Sequence, residues 1–164
     1  MKRYVRELPV IEILINLEYT LDTVAAAEMN HPTSISKKKK LADYKLVILN
    51  DIVESVLSTI RGFGFDITRK HQSKKSYTYY VWFQPISETG EKLVPVQIQF
   101  RISGDHVSRT EEDNSQYGSV VVKSIFIGPN EYDNPVSVIL AIEEMCKGLQ
   151  KGDITVLSKF TFAG

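Results

Sequence analysis

The stretch 92-KLVPVQIQFRISGDH-106 decides how the rest of the chain is read. Val94, Val96, Ile98, Phe100 and Ile102 alternate with Pro95, Gln97, Gln99, Arg101 and Ser103. Side chains of a strand point to opposite faces with period two, so the apolar set shares one face. That face belongs on a core. The other presents two amides, a guanidinium and a hydroxyl. Pro95 lacks an N–H and suits the strand start or an edge. Gly104 lets the backbone turn and delivers Asp105 and His106 to a loop.

Upstream, Tyr77, Tyr79, Val81 and Phe83 alternate with Thr78, Tyr80, Trp82 and Gln84. The turn signal Ser87-Glu88-Thr89-Gly90 joins the two strands as a hairpin. Phe65 to Thr68 reads as a short strand, followed by a basic turn containing Arg69, Lys70, His71, Lys74 and Lys75. Val120 to Ile127 is apolar enough for a central strand, ended by Gly128-Pro129.

The helical signals lie at the two ends of the chain. Val10, Ile13, Leu14, Leu17, Leu21, Val24 and Ala25 recur at three- and four-residue steps, one face of an amphipathic helix. Pro9 fits its first turn, and Asn30-His31-Pro32 ends it. Ile11 and Ile15 fall off this stripe, which marks the segment as buried on two sides or as part strand. A second helix carries Leu46, Leu49, Ile52, Val53, Val56, Leu57 and Ile60, and Gly62 and Gly64 stop it. Thr33 to Lys40 reads as the polar connector before it, with Ser34 or Ser36 as a cap. Asn134-Pro135 opens the last helix, whose stripe is Val138, Ile139, Ile142, Met145, Cys146 and Leu149. Ile154 to Leu157 reads as a short final strand.

The expected architecture is therefore α+β: two N-terminal helices, an antiparallel meander of three to five strands, and a C-terminal helix packed on one sheet face. The chain has 164 residues, 43% hydrophobic and 24% charged, which suits a single domain over 1–164 with residues 1–32 as a candidate helical appendage. Lys+Arg and Asp+Glu both total 20, so any pull on nucleic acid must come from a local patch. The single cysteine, Cys146, allows no intrachain disulfide and no cysteine-based zinc site. Gly62-Phe63-Gly64 lacks the third glycine and preceding strand of a dinucleotide fingerprint, and no cofactor or metal is expected. With no long apolar run, the chain reads as cytoplasmic and without a membrane partner.

Two residue groups carry candidate chemistry. Asp105 and His106 stand at a strand end beside Arg101, where Asp can orient His as a base. No nucleophile motif accompanies them, and a polar turn explains them more simply. The outward face of the hairpin is the stronger candidate. Tyr80, Trp82, Gln97, Gln99 and Arg101 can stack on bases or anchor a protein, flanked by Arg69, Lys70, Lys74 and Lys75.

Ser76-Tyr77-Thr78-Tyr79 followed by Phe100-Arg101-Ile102-Ser103-Gly104-Asp105-His106 resembles a pattern in small domains of phage and mobile-element proteins. Those pair a tyrosine-bearing strand with an Arg-Ile-Ser-Asp-His strand end. The resemblance implies a mobile-element origin and an accessory role. The leading expectation is a non-enzymatic binding protein acting on nucleic acid or a host protein, as an inhibitor in the latter case. The alternatives are a small phosphoesterase using Asp105, His106 and Arg101, and an assembly subunit oligomerising through its N-terminal helices.

Overall fold

The computed structural model describes residues 8–22, 34–103, 107–108 and 117–162. Strand β1 spans Val10–Asp22, helix α1 Ser34–Gly62, β2 Asp66–Ser73, β3 Thr78–Gln84, β4 Val96–Ser103, β5 Val107–Ser108, β6 Tyr117–Ile127 and β7 Asn130–Tyr132. Helix α2 spans Pro135–Gln150, and a 3-10 helix covers Ile154–Lys159. The sheet order is β2-β3-β4-β1-β6-β7, with β5 beside β1.

The largest departure from expectation is the first element. Residues 10–22 form a strand, not a helix, and that strand lies at the centre of the sheet. Ile11, Ile13, Ile15 and Leu17 are 0%, 1%, 0% and 2% exposed, whereas Val10, Glu12, Leu14, Asn16 and Glu18 are half-buried. That is period two. The residues that fell off the helical stripe, Ile11 and Ile15, are core. β-Branched side chains favour a pleated, half-buried surface. Ile11, Ile13, Ile15 and Leu17 are thus consumed in the core, and residues 10–22 supply no helix for an oligomer interface.

β1 pairs in parallel with β4 (Ile11 with Ile98, Ile13 with Phe100, Ile15 with Ile102) and antiparallel with β6 (Ile13 with Ile127, Ile15 with Ile125). The sheet is therefore mixed, not an antiparallel meander. β2 runs parallel to β1, because β2-β3-β4 is antiparallel throughout and β4 is parallel to β1. A parallel return needs a crossover, and α1 is that crossover. Among the described residues one helix, not two, precedes the hairpin strands.

Helix α1 begins at Ser34, so the lysine run 37–40 falls inside it, not in a connector before it. Leu49, Ile52, Val53, Val56, Leu57 and Ile60 are buried as their spacing predicts, and Leu46 is half-buried. Asn134 caps α2, its Oδ1 accepting from the Ser137 N–H at 2.9 Å. Both helices bury their stripes in one cluster with the inward residues of the sheet, including Val81, Phe83, Ile98, Phe100 and Ile125. They lie on the same face. Ile154–Lys159 is helical, not a strand: Asp153 accepts from the Thr155 N–H at 3.0 Å and opens the 3-10 turn.

Candidate functional site: the open face of the sheet

The sheet face turned away from the helices is built by the alternate residues of β2, β3, β4 and β1. Cross-strand registers place Trp82 beside Gln97, Tyr80 beside Gln99, and Thr78 beside Arg101. β1 continues those rows with Val10, Glu12 and Leu14 opposite Gln97, Gln99 and Arg101. Phe126 of β6 extends the Leu14 row. The five hairpin residues read as one group are therefore neighbours on one surface. Trp82 is half-buried by its own sheet neighbours.

Near that surface β2 differs from expectation in an informative way. Arg69 and His71 belong to a strand, not a turn, and the turn is residues 74–77. The register shifts between Ile67 and Arg69, leaving Thr68 as the extra residue of a bulge. Without it, Thr68 would face Trp82, and Arg69 would point toward the helices. The bulge re-aims Arg69 onto the open face, as bulges do. Its guanidinium carbon lies 4.7 Å from the Trp82 ring centroid. His71 stacks on Tyr80 at 6.1 Å, and Tyr80 and Trp82 are 6.3 Å apart. A continuous line of rings and a guanidinium results, each contact contributing about 0.5–1 kcal/mol at an exposed site.

The polar groups are ordered locally. Gln99 Nε2 donates to Gln97 Oε1 at 2.7 Å. Arg101 Nη2 stands 3.6 Å from Glu12 Oε1, with the side chains 60% and 43% exposed. An ion pair that open is worth about 0–1 kcal/mol, so Arg101 can exchange Glu12 for another anion at little expense.

Three hollows meet around Leu14 and Arg101. One of about 160 Å³ is lined by Glu12, Thr78, Tyr80 and Gln99 among others. A second, of about 440 Å³, is mostly apolar and bordered by Phe126, Pro129 and Phe162. A third, of about 580 Å³, lies at the end of the sheet between Lys45, Lys75, Ser76 and Ser103. Its floor includes Tyr77, whose φ of +51° is the one positive value at a non-glycine among the described residues. The left-handed region costs an ordinary residue about 1–2 kcal/mol. Tyr77 is held there by its carbonyl, which accepts from the Ile102 N–H at 3.1 Å.

The remaining predicted residues are dispersed. Lys70 pairs across from buried Val81 and points away from the open face, and Lys74 is exposed in the turn. Asp105 and His106 lie outside the described residues. Sequence reasoning missed Glu12, Leu14 and Phe126 as members of the face. The signal that would have found them is the Ile11-Ile13-Ile15 alternation. Among the described residues no cluster of His, Cys, Asp and Glu is suited to a metal ion, and no helix is long and apolar enough to cross a membrane.

No protein-family model matches this chain, and no curated protein or solved structure matches it either.

Proposed function

We propose that this chain is a non-catalytic binding protein whose working surface is the open sheet face and the hairpin turn at its end. One observation carries the reading. Tyr80, Trp82, Gln97, Gln99 and Arg101 occupy adjoining registers on the face opposite both helices. Core packing has no use for that set, because the apolar face alone houses the helices. Trp, Tyr and Arg are the residue types that dominate binding energy at interfaces, and rings beside amides also suit stacked bases. The partner is nucleic acid or a host protein. An accessory role in a phage or mobile element, inhibitory toward a host protein, follows the resemblance of Ser76 to His106.

The test is the paired substitution Trp82→Ala with Arg101→Ala, made in a screen of single-stranded oligonucleotides and host proteins. The variant is expected to keep its circular dichroism and urea midpoint and to lose the ligand that the unmodified chain binds. Retained binding in the folded variant refutes the reading. Salt separates the partner classes: affinity for nucleic acid falls steeply as salt rises, and affinity for a protein falls little.

A further inference from the structure

We propose that the hollow at the end of the sheet is a phosphate subsite, and that the open face takes single-stranded nucleic acid with one phosphate seated there. This rests on the reading of the open face as the working surface and names its ligand.

Three cations from three separate elements line the hollow: Lys45 of α1, Lys75 of the β2–β3 turn and Arg101 of β4. The hydroxyl-bearing Ser76 and Ser103 line it too, and among the described residues no carboxylate does. Glu12 reaches Arg101 from the open-face side and lines the adjoining hollow, not this one.

Lys45 is only 8% exposed, and its ammonium sits 5.0 Å from the centre of the Tyr77 ring. Lysine is seldom this buried, because removing an ammonium from water is unfavourable. Lys45 lines the hollow together with Lys75 and Arg101. The turn is fixed as well. Tyr77 is tied to Ile102, and the Ser76 hydroxyl lies 2.9 Å from Ser73 Oγ and 3.0 Å from Thr78 Oγ1. Donors converging from several directions, one of them a guanidinium, suit a tetrahedral oxyanion.

The hollow also leads somewhere. It shares Leu14 and Arg101 with the smaller hollow that contains Tyr80 and Gln99, and Trp82 follows on the same strand. A backbone phosphate at Lys75 and Arg101 therefore sets the next bases over Tyr80 and Trp82, with Gln97 and Gln99 beside their edges. Stacking on aromatic rings beside a basic groove is how single strands are held without a paired helix. Those rings are carried on a sheet face, and a duplex, with its bases stacked inward, cannot stack on them.

The experiment titrates the full chain with an oligothymidylate of about eight residues, within the usual range of site sizes for single strands. Fluorescence of Trp82, the only tryptophan, is the readout. The ligand is expected to quench it. Lys75→Glu is expected to weaken affinity at least about tenfold and to flatten the plot of log affinity against log salt by about 0.7, one phosphate. Lys147→Glu, exposed on α2 on the opposite side of the sheet, serves as the control and is expected to change affinity by less than about threefold. Equal effects of the two substitutions mean diffuse attraction and overturn the subsite. Quenching that persists unchanged in Lys75→Glu also overturns it and leaves the face reading intact. An oligonucleotide that does not bind at all overturns the nucleic-acid ligand. The face reading then stands or falls separately on whether a host protein needs Trp82 and Arg101.

Discussion

Replacing residues 10–17 one at a time by alanine separates a strand from a helix at the element on which the fold turns. Ile13 is 1% exposed and lies between Phe100 of β4 and Ile127 of β6. Ile13→Ala removes three carbons, worth roughly 2.4 kcal/mol in transfer alone at about 0.8 kcal/mol each. The cavity left in a close-packed site raises the loss to about 3–4 kcal/mol. For a chain of this size that lowers the melting temperature by about 6–16 °C. A domain of ordinary stability, about 5–15 kcal/mol, still folds, so the effect is measurable by urea unfolding. Ile11→Ala and Ile15→Ala, both at 0% exposure, are expected to match it. Leu14→Ala, half-buried on the open face, is expected to lose less than about 1.5 kcal/mol. The losses should therefore alternate along the chain. A helix with the stripe Val10, Ile13, Leu14 and Leu17 would instead make Leu14 as costly as Ile13, and Ile11 and Ile15 cheap. That second pattern would refute β1 and the sheet order built on it.

Gly128→Ala is expected to be among the most damaging small substitutions. Its φ is +55°, and an added Cβ would lie 2.5 Å from the Phe160 carbonyl oxygen, which is backbone and cannot swing aside. The left-handed conformation alone contributes about 1–2 kcal/mol, so the midpoint of urea unfolding should fall by at least that equivalent. Cys146 is buried near Glu143, and burial first, then that carboxylate, pushes its thiol up to about 12 from 9.0. Between those values the folded chain keeps a proton that the unfolded chain releases, so stability falls as pH rises from 9 to 12. Cys146→Ala should show a shallower decline over that range, and the native thiol should resist alkylation until the chain unfolds. Asn134→Ala removes the cap that holds the Ser137 N–H and is expected to lower stability by about 1 kcal/mol in the same unfolding assay.

Local pattern was sufficient wherever one physical signal dominated. The alternation from Val96 to Ile102 appears in β4 residue by residue, and the stripe from Leu49 to Ile60 faces the core. The hairpin turn forms at Ser87–Gly90, closed by the Gly90 N–H to the Ser87 carbonyl at 2.8 Å with Gly90 at a φ of +86°. Glycine's freedom there is a property of the residue, not of its surroundings. At Val10–Asp22 two periods competed, because an almost continuous apolar run contains both a helical stripe and an alternation. The outward positions of β1 mix Val10 and Leu14 with Glu12, Asn16 and Glu18, so the alternation is incomplete, and only the partner strands resolve the ambiguity. The lysine run before Leu41 read as a connector because it is polar, yet a crossover helix needs length, and α1 extends to Ser34.

The composition of the open face was therefore available from sequence in its hairpin half, Tyr80, Trp82, Gln97, Gln99 and Arg101. Its other half was not. Glu12 and Leu14 join it because β1 returns beside β4 in parallel, a pairing between residues some ninety apart that no local pattern specifies. Arg69 reaches Trp82 because one extra residue at Thr68 turns the strand over. The meeting of Lys45, Lys75 and Arg101 depends on where a helix, a turn and a strand end coincide. Alternation, capping and turn chemistry act over a few residues, and sequence alone determines them. Which polar faces share a surface is set by strand order and register, and those are decided only when the whole core is packed.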